Sequence, residues 1–379
     1  MAATPEALPE TVLSQEEREY VASQWKLVWW KFRRHRLAMA ATFIVLLFYL
    51  IAAFPETLAI HDPHDFSSKR VYMPPQRIHL FEDLRPRPFV YQVDPQRDPV
   101  TLGMVYVQDR SVKHYITFFV RGHEYKLFGL FNTDIHLFGT ATEAGMESFY
   151  PIGADKLGRD VYSRLMYGTR ISMSIGLIGV AISLFLGVLF GGISGYKGGW
   201  TDSFIQRLIE FLRAMPTIPV WLSLGAAIPQ DWSVIKIYFA ILIIISLIGW
   251  TTLAREVRGR FLAMRQEDFV IAARLYGTGQ LRIIFRHMLP SFMSHIIATT
   301  TLAIPAIIIA ETSLSFLGLG LKAPAISWGV LLFEAQNLQA VANAPWLLVP
   351  GLFVIAAVLT LNFMGDGLRD AADPYSVRT

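Results

Sequence analysis

Few residues in this chain are spaced for chemistry. His123-Glu124 opens like a zinc-protease helix, but that motif needs a second histidine three residues after the glutamate, and Leu127 stands there. His61-Asp62-Pro63-His64-Asp65 holds several donor groups, yet Pro63 stiffens the stretch and no further ligand cluster lies near it in sequence, which suits a solvated loop without metal. None of the nine lysines follows a glycine, so the phosphate-cradling Gly-Lys-Ser/Thr loop is absent. No Gly-x-Ser-x-Gly elbow occurs either. The chain has no cysteine, which excludes disulfides, iron–sulfur clusters and thiolate nucleophiles, and leaves the redox compartment open. Catalysis is not expected, and no cofactor is expected on this chain.

Glu311 is the one plausible deep acid. A carboxylate at mid-membrane costs roughly 2.5–3.5 kcal/mol and much less near the interface, so an interfacial position is expected. Two roles are open to it, a gate on a translocation path or a structural bond within the subunit. Pro216 and Pro219 interrupt another apolar run, where proline frees backbone carbonyls that a neighbour or a water-filled cavity must satisfy. These three residues, Pro216, Pro219 and Glu311, are the candidates for lining a path.

The elements that must position them are apolar. Of 379 residues, 53% are hydrophobic and only 17% charged, too few for a soluble protein with a charged surface. The expected fold is an all-α polytopic membrane protein with six transmembrane helices, near 37–55, 171–196, 204–228, 237–254, 291–312 and 346–365. Residues 1–36 form a cytoplasmic tail and an interfacial helix that mixes Trp25, Trp29 and Trp30 with Lys26, Lys31, Arg33, Arg34 and Arg36. That mixture suits lipid headgroups better than nucleic acid, because an apolar run follows at once. Residues 56–150 are polar with short aromatic and β-branched runs, and predict a small β-rich external insert whose best hairpin turn is Arg121-Gly122-His123. Residues 151–170 form an external turn region, and 171–375 the transmembrane core. The glycines at 176, 179, 187, 191, 192 and 195 allow close helix contact.

Within that core, the loop 255–290 holds seven arginines against Glu256, Glu267 and Asp268, a bias that short loops keep on the cytoplasmic side. From Asp268 to Tyr276 the pattern is helical, with Phe269, Ala272, Ala273 and Tyr276 at spacings that make one apolar stripe. Gly277 and Gly279 stop the helix, and Leu289-Pro290 turns the chain into the next apolar run. A short helix with an apolar face, held in water, needs a cover.

These residues resemble the EAA loop of ABC importer permeases: Ala272-Ala273, three residues, Gly277, then Leu289-Pro290. Ile271 stands where that family has its glutamate, and His287 where it has isoleucine. Pro151 to Ser172, with Asp155, Gly158, Arg159 and Asp160, is similar to the signature before the second helix in the second permease subunit of oligopeptide and dipeptide importers. Asp155, Gly158 and Asp160 are read there as a turn and an N-cap rather than ligands. The stretches 314–329 and 366–374 are similar to the same family in the same order. The resemblance implies a type I importer permease, multi-pass in a bacterial inner membrane with both termini cytoplasmic, taking peptides or similar small oligomers by alternating access. It implies coupling to an ATPase through Asp268, Ile271, Ala272, Ala273, Tyr276, Gly277, Leu289 and Pro290. The implied partners are a second homologous permease, two ATPase subunits or one fused ATPase carrying ATP and Mg, and an external binding protein. A secondary active transporter is the alternative, and it should show a relay of buried acids and an internal repeat.

Overall fold

The computed structural model describes residues 24–82, 85–99, 103–140, 142, 146, 148–229, 231–337 and 342–372. The tail before residue 24 and Asp373-Pro374 lie outside the described residues. Helix α1 (Gln24–Arg34) leads into α2 (Arg36–Ala53), whose first turn is capped by His35 Nδ1 accepting from the Ala38 amide at 3.1 Å. One face of α2 buries Ala38, Ala41, Val45 and Phe48 at helical spacing, while Phe43, Leu46, Leu47 and Leu50 stay exposed. A single turn, α3 (Pro55–Leu58), follows.

Strands β1 (His79–Glu82), β2 (Arg85–Arg97), β3 (Met104–Leu127) and β4 (Phe131–Thr140) then form an antiparallel sheet in sequence order. The expected hairpin at Arg121–His123 does not exist, because β3 runs through those residues and only its register shifts between Arg121 and Tyr125. Gly122 serves close approach there: a Cβ on it would meet the His136 ring at 2.6 Å.

Helix α4 (Val161–Lys197) has 37 residues and a length of about 55 Å at about 1.5 Å per residue, so its two ends stand well clear of each other. It starts ten residues before the expected 171, because the Asp160 side chain accepts from the Tyr162 and Ser163 amides and nucleates the helix inside what looked like a turn region. Helix α7 (Val234–Met264) packs along it. Contact is closest at Gly191, where a Cβ would sit 2.4 Å from the Ala254 carbonyl oxygen.

Between α4 and α7 the expected single span 204–228 is two helices, α5 (Gly199–Ala214) and α6 (Thr217–Ala226). The residue before Pro216 is pushed out of the helical region, and Met215 adopts φ −79°, ψ 137°. Helix α8 (Asp268–Leu275) and the short α9 (Gln280–Arg282) precede a π-helical segment, Ile283–Met288. Then come α10 (Leu289–Phe316), α11 (Trp328–Glu334), a 3-10 turn at Pro345–Leu348 and α12 (Val349–Ala372). The first three residues of the segment 314–321 finish α10. Among the described residues five helical stretches are long and apolar enough to cross a membrane, and Thr217–Ala226 is a shorter apolar helix. The main core lies where α2, α4, α7, α10 and α12 converge on Trp328, which is fully buried.

Candidate functional site

The site is built at the Lys197 end of α4. Asp268 opens α8, where a carboxylate suits the positive end of the helix. Val270 and Ala273 point inward, into a cluster with Phe261, Met264, Ile283, Ile284 and Met288. The apolar stripe read from the sequence is therefore divided, with Ala273 on the buried side. Phe269, Ile271, Ala272 and Tyr276 lie on the outer side, joined by Leu275, and Leu275 and Tyr276 are 83% and 89% exposed. The division follows from the distance along the helix: Val270 and Ala273 are three residues apart and share the face that meets the bundle.

The helix ends on a paired-bond glycine motif. The Thr278 amide donates to the Ala273 carbonyl at 3.1 Å and the Gly277 amide to the Arg274 carbonyl at 2.9 Å, with Gly277 at φ +73°. Gly279 is not part of this stop, since its backbone is extended at φ −61°, ψ 147° and it begins α9. Arg274 fastens α8 to α4: its guanidinium lies 4.6 Å from the centre of the Tyr196 ring, and its Nε donates to the Tyr196 hydroxyl at 3.1 Å. Leu289 and Pro290 open α10, and the wider π turn before them accommodates the proline ring, which an α turn would press against the carbonyl four residues back.

A second clamp holds the same end. Arg258 donates through Nε and Nη2 to the two Asp202 carboxylate oxygens at 2.5 and 2.6 Å, and the Ser194 hydroxyl donates to the same group at 2.5 Å. In the stretch 255–290 Arg255, Arg260, Arg274, Arg282 and Arg286 are exposed. This part of the chain thus offers bare apolar side chains together with exposed positive charge.

At the Val161 end the polar residues are locked together. Asp155 accepts from the Leu157 and Arg159 amides, from Arg159 Nε at 2.7 Å and from Arg164 Nη1 at 2.6 Å. Glu334, from α11, accepts from Arg159 Nη2 at 2.8 Å and Arg164 Nη1 at 2.6 Å. Burial raises the Glu334 carboxyl, but the Arg164 and Arg159 guanidiniums outweigh it and the net position is below its ordinary value. Gly158 makes the turn at φ +73°, and Asp160 caps α4. None of this has a free face for a ligand. Sequence reasoning missed Glu334, whose only signal was an acid closing a short apolar stretch, and missed Tyr196, which lies 78 residues from Arg274 and carried no signal.

Of the path candidates, Pro216 and Pro219 are exposed on this single chain. Glu311 is wholly buried and its Oε1 accepts from the Ser315 and Ser327 hydroxyls at 2.8 Å each, so of the two roles open to it these contacts support the structural bond within the subunit, joining α10 to the start of α11. No group of three or more potential metal ligands occurs among the described residues.

Residues 187–376 match the family model described as a binding-protein-dependent transport system inner membrane component. The chain belongs to that family. Residues 23–75 match a second model, the N-terminal transmembrane domain of oligopeptide transport permease C. Similar curated proteins include the dipeptide transport system permease protein DppC of Bacillus subtilis, 39% identical over 59% of this chain and 68% of the relative. The oligopeptide transport system permease protein OppC of Haemophilus influenzae is 39% identical over 60% of this chain and 71% of its own length. A chain of the MetNI methionine ABC transporter in an inward-facing form covers 55% of this chain and 96% of that chain at 13% identity, with a TM-score of 0.42. The matched transport-component region contains the whole segment from α8 to Pro290, and the interval 76–186 between the two models contains the sheet together with Asp155, Arg159 and Arg164.

Proposed function

We propose that this inner membrane component is the permease subunit of an importer driven by ATP, and that α8 is where it receives work from a separate ATPase. The observation that carries the reading is the outer face of α8. Phe269, Ala272, Leu275 and Tyr276 are held out in water while Val270, Ala273 and Arg274 tie the helix to the bundle. A rigid, solvated apolar helix is stabilised by a groove on a partner that buries it, and any push on it passes to α4 through Tyr196 and to α10 through the π segment.

Peptides are the substrate class supported by the relatives, whose names are dipeptide and oligopeptide permeases. ATP and Mg would sit on two ATPase subunits or one fused pair. A second permease and an external binding protein would complete the assembly. In this orientation the arginine-rich end and both termini face the cytoplasm, and α5 with α6 forms a broken third span that makes six in all. Pro216 and Pro219 at that break border the path between the two permeases. Importers of this kind open by alternating access, the two coupling helices moving together when nucleotide closes the ATPases. Among the described residues Glu311 bonds to Ser315 and Ser327 of its own chain, which does not favour the relay that a secondary transporter needs.

The test uses Gly277. A Cβ there meets nothing within 4 Å, so the demand is on backbone conformation alone. Gly277→Val costs about 1–2 kcal/mol in the left-handed region, whereas Gly277→Asn tolerates it. We expect the valine variant to stay in the membrane but to lose peptide-stimulated ATP hydrolysis, and the asparagine variant to keep most of it. Normal uptake and hydrolysis in Gly277→Val would overturn the coupling role.

A further inference from the structure

The sheet carries a feature that the transport reading leaves unused. At the β3–β4 turn the chain reads Lys126-Leu127-Phe128-Gly129-Leu130-Phe131-Asn132, and Phe128, Leu130 and Phe131 are 54%, 77% and 65% exposed. The turn is closed by the Gly129 amide donating to the Lys126 carbonyl at 3.1 Å and the Leu130 amide to the Leu127 carbonyl at 3.0 Å. Phe128 sits at φ +52°, a conformation that a bulky aromatic rarely adopts and that Asn or Gly would take at lower cost. A water-exposed hairpin has no reason to hold three large apolar side chains on a backbone that disfavours one of them.

The place of this tip is set by three contacts to the segment 54–59, from the cap of α2 through α3. The Phe128 ring meets the Phe54 ring edge-on at 5.3 Å, the Tyr125 hydroxyl lies 3.2 Å from the Thr57 hydroxyl, and His136 Nδ1 is 2.6 Å from the Ala59 carbonyl oxygen. Phe54 is the residue after the last turn of α2, which at 18 residues is about 27 Å long, close to the hydrocarbon thickness of about 30 Å. Phe54 therefore stands where acyl chains give way to headgroups. It also ends the row Phe43, Leu47, Leu50, Phe54 along α2, whose first three members are exposed and form a lipid-facing stripe. The hairpin tip extends that stripe. Behind it Lys126 and Asn132 pair across the two strands and are exposed, a cation and an amide at the depth of phosphate groups.

We propose that Phe128, Leu130 and Phe131 are inserted in the membrane leaflet at the Phe54 end of α2, so that the sheet is anchored to lipid as well as to the bundle. The leaflet is favoured over a protein partner because the tip continues the exposed apolar row of α2, a helix long and apolar enough to cross a membrane. The inference depends on α2 crossing the membrane and not on what is transported.

The chain has no cysteine, so Leu130→Cys gives a unique site for an environment-sensitive fluorophore such as NBD. The full-length chain is labelled there and reconstituted in phosphatidylethanolamine–phosphatidylglycerol vesicles, with Leu50→Cys as the reference on α2. The expected result is blue-shifted emission, quenching by lipid bearing a nitroxide near the headgroup to about the extent seen at Leu50→Cys, and little quenching by iodide. Iodide quenching without lipid quenching would place the tip in water and overturn the proposal. Shielding from both would assign it to a protein contact and overturn it equally. Phe131→Cys repeats the measurement should Leu130→Cys fail to reconstitute.

Discussion

The two ends of α4 handle surface in opposite ways. At the Val161 end, Asp155, Arg159, Arg164 and Glu334 are all charged and nearly all buried, and each finds its partner inside the subunit. At the Lys197 end, Leu275 and Tyr276 are apolar and almost fully exposed, and nothing in the subunit covers them among the described residues. A polar cluster bonded within the subunit is a fixed joint, and an uncovered apolar helix is the surface we propose for docking. The comparison separates a motif that holds the fold from one that is available for work, although both stand out equally in the sequence.

The largest effect should come from breaking the joint. Arg164 is 2% exposed in its side chain and shared by Asp155 and Glu334, so Arg164→Leu leaves the two carboxylates only Arg159 between them and is expected to cost about 3 kcal/mol, read as a lower unfolding temperature in detergent. Tyr276→Ala at the other end should move that temperature hardly at all, by about 0.5 kcal/mol or less. Comparable losses from both substitutions would erase the distinction.

Next is the docking surface itself. Replacing Leu275 and Tyr276 together by Asp puts charge where an apolar groove is expected, and should weaken ATPase association by about 2 kcal/mol or more, roughly 30-fold, with the fold unchanged. Co-purification with the ATPase measures it. Gly191→Val tests the rod between the ends: its side chain would strike the Ala254 carbonyl, and a loss of about 1–3 kcal/mol should appear in stability before it appears in association.

The smallest effect is on pH. Glu334 has a folded carboxyl below its unfolded value, so its stabilisation is complete above the ordinary glutamate value of about 4.3 and is lost as pH falls through the lowered folded value. Stability should be flat from neutral pH to about 5 and then decline. The gap between the native chain and Arg164→Leu should narrow over the same acid range. A gap that widens in acid would mean that the carboxylates are not what Arg164 compensates.

Much of this was legible in the residues. The apolar runs, the Gly277 turn and the basic loop rest on local patterns, composition and periodicity, which one chain displays by itself. The limits are equally physical. Ala273 was assigned to the outer stripe because periodicity names a face but not its direction, and the direction is set by Ile283, Ile284 and Met288 beyond the turn. The hairpin at Gly122 was misplaced because a glycine between two strand-like runs signals a turn or a close approach alike, and His136 decides which. Helix α4 began early because the expected span was counted from the uncharged run alone, whereas the Asp160 cap starts the helix ten residues sooner, among polar residues. The choice between the two roles of Glu311 stayed open because the serines that bond it, Ser315 and Ser327, lie a turn later and at the cap of a later helix.

The central claim is that the outer face of α8 is covered by an ATPase. Leu275→Cys in this otherwise cysteine-free chain, probed with a membrane-impermeant maleimide on inside-out vesicles, tests it directly. The account predicts labelling of the chain alone, protection when the ATPase is bound, and no labelling from outside in intact cells. Labelling from outside, or equal labelling with and without bound ATPase, would contradict it.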